Sequence, residues 1–362
     1  MSDREFVGAR LQLARSFNQV TLTKLAETVS VSFGLLGHYE NGLRKQPADD
    51  LVAALARALK VEPRFFFEPL PDVWQEAECS FRRRAATPEG VKKRARAHGT
   101  LIGLVVRELA NHVRFPEYRI PSIEARSLDE IEQAAETCRL NWELGFGPIP
   151  HVGRVAERNG VILVQRLRHA DKIDAFSRRG PFSVVVLNTA RTSTSRWIFD
   201  IAHELGHFVL HDGLATGSKE TEEQANYFAA AFLLSPKAFA REFRSRQFSW
   251  TLVFDLKRRW FVSASAIIRR AYNLGLLDPI LYRRCYQHMS VQGWLKSEPY
   301  EPEFAGPEWL PSAFQLAAKR FNLTAAALCD RLYLTPEMFS DVTGLPVATD
   351  RPAITKPRIV KR

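Results

Sequence analysis

Residues 202–211 read AHELGHFVLH and lie in an apolar-periodic segment, residues 195–210, that predicts an α-helix. Because successive helical residues are about 100° apart, His203 and His207 stand one turn apart on one face. Two imidazoles placed in this way can bind one Zn²⁺, and Glu204 lies beside them. A carboxylate there can take a proton from an attacking water and give it to the leaving amine. The alternative is an amphipathic core helix with two hydrogen-bonded histidines.

A catalytic zinc site takes three protein ligands and a water, so a third ligand is needed. In the metzincin spacing this ligand would fall on Gly213, which has no side chain. His211 lies one turn further along the helix, but its direction has drifted by about 80° from that of His203. Neither position is therefore favoured.

The next predicted helix, TEEQANYFAAAFLLSP over residues 221–236, offers the favoured ligand, Glu222. Its neighbour Glu223 points about 100° away, so only one of the two carboxylates can face the metal. This arrangement resembles that of the gluzincins, in which a helical Glu binds zinc and the residue four positions later supports the site. The resemblance implies that Glu222 binds the metal and that Asn226 supports it.

The first 68 residues predict a compact helical module with a helix-turn-helix. Its pattern resembles the XRE, or Cro/repressor-like, DNA-binding domain. The landmarks that carry this resemblance are Leu22-Thr23, Leu25-Ala26, Val31-Ser32, Tyr39-Glu40-Asn41-Gly42 and Leu55-Ala56 with Leu59.

The recognition helix of such a module presents polar side chains to base edges, yet here it begins with the apolar or small residues Phe33, Gly34 and Leu35. The module is also nearly neutral, with nine Lys/Arg against eight Asp/Glu in residues 1–68, which predicts weak DNA affinity. The alternative is dimerisation or partner docking. The candidate DNA contacts are Ser32, His38, Asn41, Arg44 and Lys45.

Taken in order, the helix-turn-helix, IDAFS at Ile173 to Ser177, AHELGHFVLH and EEQANYFAAAFLLSP closely resemble the ImmA/IrrE family of metallo-endopeptidases. The resemblance covers about residues 70–290 and implies a zinc-dependent peptidase that relieves transcriptional repression by cutting a repressor. It places the family's metal ligands on His203, His207 and Glu222, and its general base on Glu204. The same ligand set also accepts Mn²⁺ or Co²⁺.

Composition indicates a globular chain, with 362 residues, 46% hydrophobic and 25% charged. No apolar run approaches the length of a membrane span, and the start MSDREF lacks a secretory signal, so we expect a cytoplasmic protein. The four cysteines lie far apart and suggest neither a disulfide framework nor a thiolate metal site. The net charge is +11, and the basic residues are concentrated over residues 82–96 and in the tail. Such runs indicate either contact with a polyanion or a solvated surface.

The predicted fold class is α+β. We expect a helix-turn-helix domain over residues 1–68, a basic linker with helical segments over 69–130, and a zincin-like peptidase domain over 131–290. A helical C-terminal unit over 291–346 and a mobile basic tail over 347–362 follow. Within the peptidase domain, GVILVQRLR and FSVVVLN predict neighbouring strands around a loop that contains IDAFSRRG.

The favoured function is a cytoplasmic zinc metallo-endopeptidase that cleaves a repressor-type partner, with DNA as a second partner. The alternative is a DNA-binding regulator whose zincin domain senses metal or redox state with little proteolysis. A general protein-degrading enzyme is disfavoured, because nothing in the sequence suggests secretion or a pro-segment. Oligomeric state stays open, although helix-turn-helix modules commonly bind two half-sites as homodimers.

Overall fold

The computed structural model describes residues 5–83, 88–166, 173–188, 193–214, 216–303 and 305–347. The basic tail that the sequence predicts to be mobile lies outside these ranges from residue 348 onward. Within them the chain is mostly helical and has one four-stranded sheet, which confirms the α+β class. A search of the described helices finds none with the length and apolarity needed to cross a membrane.

The N-terminal helices are α1 (Gly8–Phe17), α2 (Leu22–Thr28), α3 (Phe33–Glu40) and α4 (Asp49–Leu59), followed by a 3₁₀ helix over Pro63–Phe67. Their apolar stripes meet in one core that includes Leu11, Leu25, Leu36 and Leu55. The Thr21 hydroxyl caps α2 by accepting a hydrogen bond from the Lys24 amide at 3.1 Å. Ser32 caps α3 in the same way.

A close contact between α1 and α3 requires glycine at the start of the first helix. A Cβ atom at Gly8 would lie 2.3 Å from the carbonyl oxygens of Tyr39 and Glu40. The side chain of Glu40 accepts two hydrogen bonds from Arg15 of α1, at 2.6 and 2.7 Å. These contacts fix the end of α3 against α1.

The segment that follows contains a short 3₁₀ helix over Glu76–Glu78, strand β1 (Cys79–Arg83) and the long helix α5 (Glu89–Ala110). The sequence predicts a basic linker with helical segments over residues 69–130. In the structure α5 contributes to the protein core, where Leu101, Ile102 and Val105 are fully buried. The ring of Trp74 packs so closely on α5 that a Cβ atom at Gly99 would lie 2.2 Å from it.

The sheet contains β1 with β2 (Val161–Arg166), β3 (Ile173–Arg178) and β4 (Ser183–Asn188), in the order β1-β3-β4-β2. Strands β2 and β4 are parallel neighbours, which confirms the prediction for GVILVQRLR and FSVVVLN. Both other pairs are antiparallel.

The prediction that IDAFS belongs to a loop is wrong, because these residues form β3 between β1 and β4. Few β-branched residues mark this strand in the sequence. Its stability comes instead from backbone pairing on both sides, with Phe176 opposite Phe81 of β1 and opposite Val186 of β4.

Helices α6 (Leu128–Asn141), α7 (Val152–Arg158), α8 (Thr194–Leu210) and α9 (Lys219–Leu233) form the layer that packs with the sheet. Helix α8 contacts β3 and β4, and α9 lies along α8. The AHELGHFVLH segment therefore lies between the sheet and α9.

Four further helices follow, α10 (Pro236–Arg244), α11 (Trp250–Trp260), α12 (Ala264–Asn273) and α13 (Pro279–Val291). The fully buried ammonium of Lys257 forms ion pairs with Glu298 at 2.8 Å and Glu301 at 2.5 Å. Glu301 also accepts hydrogen bonds from Ser195 in the first turn of α8. Through Glu301, this network connects the segment after α13 to α8, the helix that contains His203 and His207.

The last helices, α14 (Trp309–Phe321), α15 (Ala325–Leu332) and α16 (Pro336–Thr343), return to the N-terminal module. The Thr335 hydroxyl donates to the Lys60 carbonyl at 2.8 Å, and Lys60 pairs with Glu337 at 2.5 Å. A ring nitrogen of His98 on α5 contacts the Val342 carbonyl at 2.7 Å. The C-terminal helices therefore share a core with the helix-turn-helix and α5.

Candidate metal centre

The centre is built on α8, whose first turn is capped by the Ser193 hydroxyl. His203 and Glu204 are fully buried in this helix, and His207 is 2% exposed. Gly206 lets α9 approach, since a Cβ there would lie 3.1 Å from the Phe228 ring and 3.2 Å from the Ala225 carbonyl. This close packing brings the start of α9 to the histidines.

Three metal-ligating side chains converge between α8 and α9. The Nε2 atoms of His203 and His207 are 3.1 Å apart. The Glu222 carboxylate lies 3.5 Å from the first and 3.3 Å from the second. One ligand atom from each residue can be chosen so that all lie within 4.8 Å of one another, which is the spacing of ligands around one ion.

The remaining ring nitrogen of His203 is held by α9. Its Nδ1 atom lies 3.0 Å from Oδ1 of Asn226. An amide oxygen can only accept, so a neutral His203 donates from Nδ1 and directs the lone pair of Nε2 into the cluster. Asn226 therefore has the position of a ligand-orienting residue.

His207 is supported by His211 and Gln224. The Nδ1 atoms of the two histidines are 3.0 Å apart, and Nε2 of His211 lies 2.8 Å from Oε1 of Gln224. A neutral His211 that donates to Gln224 can only accept at Nδ1, so His207 donates there and its Nε2 lone pair also faces the cluster. Burial lowers the pKa of His211, which keeps this ring neutral at pH 7.

The donor set fits a divalent cation. Two imidazole lone pairs and a carboxylate meet at one point, and without a positive charge between them they would repel one another. Burial opposes ionisation of Glu222. When no cation is bound, however, protons on the Nε2 atoms of His203 and His207 take its place, and their hydrogen bonds and charge lower the pKa of Glu222 to about 2. The carboxylate is thus in the form that binds metal.

Glu204 is positioned by the sheet. The hydroxyl of Ser177 on β3 donates a hydrogen bond to Oε2 of Glu204, and both residues are fully buried. The sequence does not reveal this contact, because IDAFS is predicted to be a loop, although the same segment carries part of the family resemblance. The sequence also gives no sign of the role of Gln224, and it offers His211 only as a possible ligand.

Glu223, the alternative ligand next to Glu222 in the sequence, points away from the cluster. Its carboxylate lies 3.8 Å from Lys219 and is mostly exposed. It lines a cleft of about 1150 Å³ that is also bordered by Asn226, Tyr227, Arg269 and Tyr286. The cleft therefore reaches the residue that supports His203.

The candidate DNA contacts lie on or just after α3. The hydroxyl of Ser32 accepts from the Leu35 amide, while His38, Asn41 and Arg44 are exposed. Lys45 pairs with Glu5 at 2.7 Å. Phe33 is 58% exposed at the start of the same helix, so the surface that faces solvent is partly apolar.

Part of the basic run is neutralised by nearby acids. Lys92 lies 2.9 Å from Glu76, and Arg96 lies 3.3 Å from Glu89. The guanidinium of Arg94 lies 5.8 Å from the centre of the Phe17 ring, and burial lowers its pKa. These members of the run therefore contribute less to a polyanion surface than their number in the sequence suggests.

Comparisons with known proteins agree with this organisation. Residues 18–66 match a helix-turn-helix family, and residues 156–272 match the peptidase M78 family, described as the IrrE N-terminal-like domain. An uncharacterized HTH-type transcriptional regulator of Sinorhizobium fredii is 37% identical over 62 residues, which are 17% of this chain and 43% of that protein.

A solved Mycobacterium tuberculosis transcriptional regulator is 22% identical, with a TM-score of 0.30, over 39% of this chain and 46% of the other. The chain thus spans less than half the length of either relative. Two segments of the chain thus match known families, residues 18–66 a helix-turn-helix family and residues 156–272 the IrrE N-terminal-like domain of the peptidase M78 family.

Proposed function

We propose that the chain is a regulator-linked zinc metallo-endopeptidase that hydrolyses a peptide bond in a repressor-type protein and so relieves repression. The observation that carries this proposal is the convergence of His203, His207 and Glu222, with Glu204 beside them on the same helix. The match of residues 156–272 to a peptidase family supports it.

Each residue has a distinct part in this reaction. When bound, Zn²⁺ supplies a Lewis acid that polarises the scissile carbonyl and promotes ionisation of the attacking water. Glu204 accepts the proton from that water and later delivers it to the leaving amine. The Ser177 hydroxyl fixes the orientation of Glu204 through its hydrogen bond. The donor set also suits Mn²⁺.

In this function the helix-turn-helix module binds DNA. His38, Asn41 and Arg44 are exposed on or beside α3, where such a module contacts bases and phosphates. The relative from Sinorhizobium fredii is named as an HTH-type transcriptional regulator and matches over 62 residues. We expect a homodimer on two half-sites, the usual arrangement for this module.

A second candidate is a regulator whose metal site senses metal without proteolysis. The observation that favours it is burial: His203 and Glu204 are fully buried and His207 is 2% exposed, so the carboxylate of Glu204 does not contact solvent in this conformation. The two candidates differ in whether the carboxylate of Glu204 is needed for regulation.

Substitution of Glu204 separates the candidates. Cells that produce the wild type, Glu204→Gln or the control Glu223→Gln would be compared by labelling of protein N-termini and mass spectrometry. We expect new N-termini in a repressor-type protein with the wild type and the control, and their loss with Glu204→Gln, while each purified protein retains about one zinc. If all three strains show the same N-termini and the same transcripts, the sensor candidate replaces the peptidase.

A further inference from the structure

Strand β1 occupies the edge of the sheet nearest Glu204. It pairs antiparallel with β3 over its whole length, from Cys79 opposite Arg178 to Arg83 opposite Ile173. Helix α8 lies against β1 as well as against β3. This strand belongs to the segment that leads out of the helix-turn-helix module, residues 69–83, which we call the strap.

The register brings the strap to the catalytic carboxylate. Ser80 lies directly opposite Ser177, whose hydroxyl donates to Glu204. Because opposite residues of an antiparallel pair share a face, Ser80 is on the side of the sheet that faces α8. Its hydroxyl oxygen lies 3.0 Å from the hydroxyl oxygen of Thr216. The Thr216 hydroxyl donates a hydrogen bond to the Cys79 carbonyl at 3.3 Å. The strap is thus held between β3 and the segment after α8.

An extended peptide that approached Glu204 along the sheet would have to pair with β3 in this position. An uncovered strand edge presents backbone N–H and C=O groups that readily accept another strand, and many proteins bind peptides in this way. Here β1 already satisfies those groups of β3. The strap therefore closes the edge of β3 beside Ser177 and Glu204.

The side-chain contacts that hold the strap on β3 are few and involve partly exposed residues. Arg178 of β3 forms ion pairs with Asp72 at 2.7 Å and Glu78 at 3.2 Å, and its guanidinium lies 5.5 Å from the centre of the Trp74 ring. The side chains of Asp72 and Glu78 are 24% and 46% exposed and that of Arg178 is 9% exposed, so each ion pair alone contributes modestly and the two together hold the strap. The strand itself has five residues, with an irregular register between Arg82 and Arg83.

We propose that β1 is a built-in occupant of the substrate edge, which keeps the peptidase latent until residues 69–83 leave β3. This inference rests on the proposed peptidase function. Its partner class is an extended peptide segment that pairs antiparallel with β3 in place of β1. Because the strap begins where the helix-turn-helix module ends, a partner that binds that module is well placed to pull it away.

The test measures peptide binding and does not require cleavage. The probe is a fluorescent peptide with the sequence of residues 77–86 and serine in place of Cys79, and its binding is followed by anisotropy. All proteins carry Glu204→Gln, so the peptide stays intact and a failure of the peptidase proposal would leave this test unaffected. A peptide with proline at the positions of Ser80 and Arg82 cannot pair and serves as the probe control.

The release variant is Asp72→Asn with Glu78→Gln, which removes both ion pairs to Arg178. Its matched control is Glu117→Gln with Glu124→Gln, which removes two carboxylates from exposed ion pairs elsewhere. We expect the release variant to bind the probe at least tenfold more tightly than the wild type and the control. Equal affinity in all three proteins would overturn the proposal.

A second variant works in the opposite direction and guards against a folding defect. In Arg178→Cys, the new thiol lies opposite Cys79, so oxidation can join β1 to β3 while reduction frees them. We expect the reduced protein to bind the probe at least tenfold more tightly than the same oxidised sample. Binding that is indifferent to the disulfide would show that β1 is a permanent structural strand.

Discussion

The Nδ1 atom of His207 lies 3.0 Å from the Nδ1 atom of His211, so one histidine of α8 orients another. His211 in turn contacts Gln224 at 2.8 Å. These side-chain contacts, from Gln224 through His211 to His207, determine which ring nitrogen of His207 faces the metal cluster. His211, a possible third ligand by sequence, is therefore placed to support His207.

Removal of this support should weaken metal binding without abolishing it. We expect His211→Ala to lower zinc affinity by about 10-fold to 100-fold, because His207 loses the partner that fixes its ring. Competition with a fluorescent zinc chelator measures this change. His151→Ala, at an exposed histidine, is the control and should bind zinc like the wild type. Loss of all zinc in His211→Ala would instead make His211 a ligand.

Asn226 should support zinc binding through the hydrogen bond that it accepts from His203, and its size should matter less. Asn226→Leu removes the acceptor of His203 Nδ1, and we expect about a tenfold or greater loss of zinc affinity. Asn226→Asp keeps an acceptor at the same place and should retain wild-type affinity or exceed it. If both variants bind zinc equally well, the contact with His203 is incidental.

The absence of a side chain at Gly206 should control the distance between α8 and α9. A Cβ there would lie 3.1 Å from Phe228, so Gly206→Val must push α9 and Glu222 away from the histidines. We expect zinc affinity to fall and the free energy of unfolding to drop by about 1 to 3 kcal/mol, the usual cost of overpacking. Denaturant unfolding of the metal-free protein gives the second quantity. An unchanged zinc affinity would contradict this role of the glycine.

Glu301 should make stability depend on acid pH. Burial opposes its ionisation, but hydrogen bonds from Lys257 and Ser195 outweigh burial and lower its pKa. A carboxyl group whose pKa is lowered by folding stabilises the protein above its unfolded pKa, near 4.3, and loses that contribution as pH falls through the folded pKa.

We expect Glu301→Gln to lose about 1 to 3 kcal/mol of unfolding free energy at pH 7, because buried Lys257 loses one of its two charged partners and keeps Glu298. Below pH 4.5 the stability of the variant should fall less steeply than that of the wild type. Parallel pH profiles for the two proteins, from chemical denaturation, would show that Glu301 does not contribute through its charge.

Much of the centre was accessible from sequence because it depends on helical periodicity. The segment 195–210 differs by one residue from the observed α8, and the spacing of His203 and His207 follows from helix geometry. The preference for Glu222 over Glu223 matches their observed directions for the same reason. A local sequence pattern is enough to predict the relative positions of two side chains when both lie on the same helix.

The sequence was less informative where pairing is between distant segments. Strand β1 is hidden in a basic run, and its pairing with β3 joins residues almost a hundred positions apart. The contact of Ser177 with Glu204 depends on that sheet, so it was missed as well. The burial of α5 likewise depends on partners as distant as Val342, which no local pattern identifies.

We propose that His203, His207 and Glu222 together hold one catalytic metal. The most direct test is elemental analysis of the purified protein beside His203→Ala and Glu222→Gln, with Glu223→Gln as the matched control, after dialysis against a trace of zinc. We expect about one zinc per chain in the wild type and in Glu223→Gln, and loss of zinc in the other two. A wild type without metal, or a Glu222→Gln variant that keeps its zinc, would contradict the proposed centre.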